Sequence, residues 1–304
     1  MQIRTDGRAI QFLADLDRMN ATQERVQRDI SSGYRVNKPS DDPGQMIDIL
    51  QLTSEVKRAS DTDKNLGRVT SEVDTAESAL QVASQLLERA RTIAAQTATD
   101  TATDRKGAAI EVKQIHQQLV DITKTLSEGR YVFSGDQDNQ PLYDVDWNNG
   151  AGVTQLTPST NTRQVLDVNG TSFSVAKSAS QIFDTRNTDG TPSLDNVFDA
   201  VYQLGKALES DDVSAVRDAQ PKLNAALDHL NQQLTFYGNT QNRVKQARDL
   251  AQKVAAARTQ ELSDRRDTDM PSAITELSTV KVHMEAALGA EAQQPKTSLF
   301  NYLG

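Results

Sequence analysis

The stretch Val69–Ala94, "VTSEVDTAESALQVASQLLERARTIA", decides the architecture. Within it Val69, Val73, Ala76, Leu80, Ala83, Leu87, Ala90 and Ala94 step by four and three residues, the spacing that puts side chains on one stripe of an α-helix. At 1.5 Å per residue this predicts about 39 Å of helix. Half of the seam is alanine, so a facing helix can approach closely.

The same step recurs on both sides. It appears in Ala108, Val112, Ile115, Leu119, Ile122 and Leu126, in Val244, Ala247, Ala251 and Val254, and in Ala273, Leu277, Val280, Met284 and Ala287. Toward the amino terminus it runs through Ile49, Leu52, Val56, Ala59, Asp63 and Leu66, where Asp63 is a weak point, and through Phe12, Leu16, Met19, Gln23, Val26 and Ile30. Between these last two seams "SSGYRVNKPSDDP" breaks the rhythm. Gly33 can stop a helix, Pro39 discourages continuation, and Asp42 before Pro43 is a helix start with an acidic cap and proline in the first turn.

Aromatic residues mark the one region of different character. Residues 35–130 and 238–299 contain none, whereas eight lie between Tyr131 and Tyr202. There "TRQVLDV" and "TSFSV" predict two strands around a type I′ turn at Asn169 and Gly170, with Val153–Leu156 as a third strand. The predicted fold is mainly α: a long antiparallel helical bundle or coiled coil with a small β-rich domain inserted mid-chain. The expected division is terminal coiled-coil helices at 1–43 and 264–304, ordered on assembly, a helical rod at 44–130 and 194–263, and the insert at 131–193, whose strands close over their own aromatics. The halves run antiparallel, which brings both chain ends to one pole.

Composition excludes several functions. Only 37% of residues are apolar, mean hydropathy is -0.59 and the net charge is -9, with no basic segment fit to track phosphates, so nucleic acid is not an expected partner. No stretch approaches a membrane span, and Arg4, Asp6 and Arg8 interrupt any signal-peptide apolar region. Without cysteine there is no disulfide, thiolate metal site or thiol nucleophile. His116, His229 and His283 lie in separate helical segments and read as surface or seam residues, not metal ligands. Asp136, Asp138, Asp144 and Asp146 suggest a calcium loop, but Pro141 and Trp147 stand where an EF-hand needs glycine and glutamate, so a solvated acidic loop is expected. No phosphate-binding glycine motif and no marked carboxylate pair occurs. No catalytic, cofactor or metal residue is assigned, and the chain is read as a non-enzyme.

The seam of residues 12–30 is too narrow to hold itself folded and needs a partner. The Ala273–Ala287 seam is the partner within the chain. Apolar residues are left over even so. One reading is a coiled coil closed by its own chain or a dimer. The other is a subunit whose ends are sealed only by many neighbours, where head-to-tail contacts that do not close make a tube or filament. The expected subunit interface comprises Phe12, Leu16, Met19, Val26, Ile30, Ile274, Leu277, Met284, Leu288, Leu299, Phe300, Tyr302 and Leu303.

"ISSGYRVNKPSDDP" at Ile30–Pro43 resembles the amino-terminal motif of the bacterial flagellin family, and "DTDMPSAITELSTVKVHMEAAL" at Asp267–Leu288 resembles its carboxy-terminal counterpart. "MQIRT", Asp42-Pro43, "EGRYVFSGD" at Glu128–Asp136 and the end "SLFNYLG" are closer to the family's hook–filament junction branch than to filament subunits. Pro271 departs from the helix-compatible residue expected there. The resemblance covers about residues 1–135 and 195–304. It implies an extracellular structural subunit of the flagellum, exported unfolded by the type III apparatus and forming a homo-oligomeric ring. It also implies hook-associated protein 1 and flagellin as neighbours and an export chaperone on the carboxy-terminal helix. A short filament flagellin is the nearest alternative, and an enzyme or ligand-binding module in the insert a more distant one.

Overall fold

A computed structural model describes residues 7–99, 104–135, 137–157 and 162–292. In chain order the elements are α1 (Gly7–Ser32), α2 (Pro43–Thr97), α3 (Arg105–Thr123), β1 (Leu126–Ser127), β2 (Arg130–Tyr131), β3 (Tyr143–Val145), β4 (Val153–Gln155), β5 (Gln164–Leu166), β6 (Ser172–Ser174), α4 (Ala179–Ile182), α5 (Val197–Glu209), α6 (Val213–Arg266) and α7 (Met270–Ala292). The fold is mainly α, as the seams predict. They form two compact units, one of Arg58–Val254 and one of Met1–Lys57 with Ala255–Gly304.

In the Arg58–Val254 unit every seam position of the Val69–Ala94 stretch is buried, and so are Val244, Ala247 and Ala251 of α6. The helices run antiparallel. Asp63 pairs with Arg248, and Asp74 and Glu77 both accept from Gln241, so positions rise along one helix as they fall along the other. Asp63 does not interrupt α2, because Arg248 Nε at 3.2 Å and Gln252 Nε2 at 3.0 Å satisfy its carboxylate. At the far end of α2 the buried Arg105 donates to the carbonyls of Thr97 and Thr99 and pairs with Asp211. Those carbonyls would otherwise end the helix without donors.

α3 stops at Thr123, and Leu126, expected to continue its seam, is 52% exposed in β1. The reason lies three residues on: Glu128 and Gly129 both take positive φ, 49° and 79°, and make a two-residue type I′ hairpin that needs extended residues on either side. The buried stripe of α3 also runs through Ala109 and His116, while Ala108 is half-buried.

The strands of the aromatic-rich region form three separate antiparallel pairs. Val153–Gln155 pairs with β3 instead of joining the β5–β6 hairpin. The β5–β6 turn also differs from the expected type I′. Among its residues only Gly170 has positive φ, at 84°, and its N–H donates to Asp167 O at 3.0 Å. The Asp167 carboxylate accepts from the N–H of Asn169 and Thr171, which draws the turn one residue earlier.

Nor do these strands close over aromatics of their own. Phe133, Tyr143, Phe173 and Phe183 belong to one apolar cluster with the α2, α3, α5 and α6 seams. Phe183 stacks on Phe198 of α5, and Arg243 of α6 covers Phe173. His116 sits edge-on to Trp147, and two glycines make room for the pair. A Cβ on Gly152 would lie 2.8 Å from the His116 ring, and one on Gly205 2.7 Å from Trp147.

Candidate assembly interface

The described residues among those assigned to an interface fall in the unit that holds α1 and α7. α1 and α7 pack on each other there, tied by an ion pair between Arg25 and Glu276 at 2.6 Å. On α1 Val26 is buried, and Phe12, Leu16, Met19 and Ile30 are half-buried. The rest of the α1 surface is largely charged or amide-bearing. On α7 the pattern is different: Leu277 and Met284 are half-buried, while Ile274, Val282 and Leu288 are 51–62% exposed. Ala273 is the only buried residue of this helix among the described residues. α1 covers one side of α7 and leaves the large apolar side chains of Ile274, Val282 and Leu288 facing solvent. Leu299, Phe300, Tyr302 and Leu303 lie outside the described residues.

Sequence reasoning missed further exposed apolar residues, namely Ile10, Leu13, Ile47 and Leu50. The signal was present in "MIDILQL", Met46–Leu52, which has too many apolar residues for one stripe. Ile49 and Leu52 are buried with Val36 and Leu262 in a small core flanked by Met46, and Ile47 and Leu50 point the other way.

Above that core both chain passes break at the same level. Gly33 turns α1 off with φ 78°, and residues 267–269 separate α6 from α7. Backbone bonds join the breaks: Arg35 N–H and Val36 N–H donate to Arg266 O, and Thr268 N–H donates to Gly33 O. Tyr34 bridges Asp267, and the Arg266 guanidinium lies 4.0 Å from the Tyr34 ring centroid. Arg35 also donates to Arg265 O and Gln45 Oε1. The Asp41 carboxylate takes the N–H groups of Lys38 and Asn37, which hold it below the usual carboxylate range. Asp29, shut into the end of α1, has its pKa raised by burial, against Arg25, Arg28 and Asn37. Pro271 is accommodated because α7 starts at Met270, where Asp269 caps it, so the proline sits in the first turn.

The groove on α7, about 570 Å³, is lined by Pro271, Ser272, Thr275, Glu276, Thr279 and Val280, and its one carboxylate is already paired with Arg25. His116 is wholly buried, with Nε2 2.9 Å from Ala151 O and its pKa lowered by burial. His229 lies between Asp195 and the Gln181 carbonyl, and His283 is exposed. Asp138 pairs with Arg130 and Arg163, Asp144 with Lys124, and Asp146 accepts from Asn148 N–H and Thr154; Asp136 lies outside the described residues. Among the described residues there is no cluster of three or more metal-binding side chains. None of their helices is long and apolar enough to cross a membrane.

Two long antiparallel helices, α2 and α6, and the pairing of α1 with α7 set the frame for comparison with known proteins. Residues 3–138 of the chain match the family model of the bacterial flagellin N-terminal helical region. A flagellin of Bacillus subtilis is 24% identical to it over 98% of this chain and 99% of that protein. Two solved structures of flagellar hook-associated proteins share its fold. A putative flagellar hook-associated protein from Vibrio parahaemolyticus is similar over 75% of this chain and all of that one, with TM-score 0.64 and 18% identity. Flagellar hook associated protein-3 from Legionella pneumophila is similar over 72% of this chain and 99% of that one, with TM-score 0.58 and 15% identity.

Proposed function

We propose that this chain is a structural subunit of the bacterial flagellum that joins the hook, through hook-associated protein 1, to the flagellin filament. The observation that carries this reading is the set of large apolar side chains left exposed on α7 beside the side that α1 covers, Ile274, Val282 and Leu288. Neighbouring subunits in a ring would cover Ile274, Val282 and Leu288 together with Ile10 and Leu13 of α1. The exposed Ile47 and Leu50 extend that surface onto α2. The likeness to hook-associated proteins and the junction-like motifs support the particular place in the organelle. On this reading the chain acts outside the cell after export, the α7 end is the chaperone-binding segment before export, and no catalysis is needed.

A filament subunit is the second reading, favoured by the nearly full-length match to the Bacillus subtilis flagellin. Electron microscopy of a deletion strain separates the two. The junction role predicts hooks without filaments and intact flagellin shed into the medium. Filament loss with no flagellin in the medium indicates the filament role.

A further inference from the structure

Along the seams of this molecule, polar residues that interrupt an apolar line find partners. Asp63 has Arg248 and Gln252, Glu72 has Arg163, and Gln233 has Lys177. Gln23 does not. It occupies the α1 seam between Met19 and Val26, its Oε1 is closed off from solvent, and no protein donor reaches it. One turn on, Arg28 Nε is buried and unpartnered, and Thr268 Oγ1 is in the same state beside the paired chain breaks. Among the described residues four buried side-chain polar atoms lack a partner, and three of them are in this unit.

A buried acceptor with no donor weakens the contact that buries it, whereas an apolar side chain of similar volume there strengthens it. Single polar residues in helix seams are known to trade stability for control over which helices pair. The Arg25–Glu276 ion pair across the α1–α7 contact does little to offset the loss, since it is half exposed on both sides.

We propose that Gln23, reinforced by Arg28, is a built-in weak point of the α1–α7 seam that lets the two helices part and repack against a second copy of this chain. This rests on the assembly reading above. In a lone subunit the pair closes over Val26 and Ala273, and it opens readily enough for neighbours to replace that contact.

Hydrogen–deuterium exchange on the full chain at low concentration tests this. Gln23→Leu should slow exchange across residues 16–30 and 270–284 by about tenfold, with residues 58–254 unchanged. Gln23→Met, unbranched and closer in length to glutamine, guards against a misfit of leucine and should act in the same direction. Unchanged or faster exchange at α1 and α7 in both variants overturns the proposal, as does slowing spread equally over residues 58–254. The outcome is independent of the deletion strain. If deletion leaves filaments attached, the junction role fails; if deletion removes them but neither variant slows exchange, the weak point alone fails.

Discussion

His116 Nε2 and the carbonyl oxygen of Ala151 are 2.9 Å apart, inside a wall of Trp147, Phe198 and Tyr202, and His116 Nδ1 has no partner. Burial among these rings disfavours the charged ring and lowers its pKa from 6.5, outweighing the Ala151 hydrogen bond, which acts to raise it. An unfolded chain therefore binds this proton more readily than the folded one. The stability is fully present above about pH 6.5 and is lost as pH falls through the lowered folded pKa. Thermal melts across pH 4–8 should show the unit of residues 58–254 losing stability on the acid side. His116→Gln, which can still donate to Ala151 O, should flatten that part of the profile.

The same pocket depends on a residue with no side chain. Gly152→Ala would place a Cβ 2.8 Å from His116 at a backbone φ of 72°. Overpacking and left-handed strain together should cost about 2–4 kcal/mol in denaturant unfolding. Gly170→Ala, with φ 84° but open space around it, should cost only the backbone part, about 1–2 kcal/mol.

Arg105→Ala should destabilise the same unit by about 2–3 kcal/mol, because the final carbonyls of α2 lose a charged donor in a buried setting. Arg105→Lys should recover less than half, since one ammonium cannot reproduce the guanidinium fork over Thr97, Thr99 and Asp211. Equal stability of wild type and alanine variant would show that other groups cap the helix.

Removing residues 137–191 with a short Gly-Ser bridge should leave a poorly folded product. Tyr143, Phe173 and Phe183 fill the cluster lined by α2, α3, α5 and α6, so the deletion opens a core instead of detaching a domain. Circular dichroism and melting of the shortened chain measure this; full helicity with an unchanged melt would contradict it.

Leu277→Asp puts a carboxylate into the α1–α7 seam, where it costs several kcal/mol unless paired. Motility should fail and flagellin should appear in the medium, while the melt of residues 58–254 stays unchanged. Secretion of the variant has to be followed in parallel, since α7 also serves export on the proposed reading. A strong fall in the melting temperature of residues 58–254 would place Leu277 in that unit's core.

The parts of this architecture that were legible in the sequence are those set by neighbours along the chain. The four-three steps located the seams, Asp42-Pro43 marked the start of α2, and Gly33 its predecessor's end. Parts set by distant residues were not legible. The partner that rescues Asp63 lies 185 residues away, and the two-sided run at Met46–Leu52 resolves into core and surface only once Leu262 is placed. The hairpin at Glu128-Gly129 was missed because Glu128 takes a left-handed conformation usually reserved for glycine, asparagine or aspartate. Aromatic density correctly marked residues 131–202 as different, but it says nothing about which surfaces the rings fill, and here they fill helical ones.

The antiparallel return of α6 along α2 sets an order in time. Arg25 meets Glu276 across 251 residues of chain, Asp48 meets Arg265 across 217, and Glu77 meets Gln241 across 164. Closing longer loops costs more entropy, so pairing nearer the chain's midpoint precedes pairing of the ends. If the polypeptide emerges from a narrow conduit amino terminus first, α1 and the first half of α2 wait in solution without their partners until almost the last residues have passed through. Slow folding of the leading segment would then follow from connectivity alone.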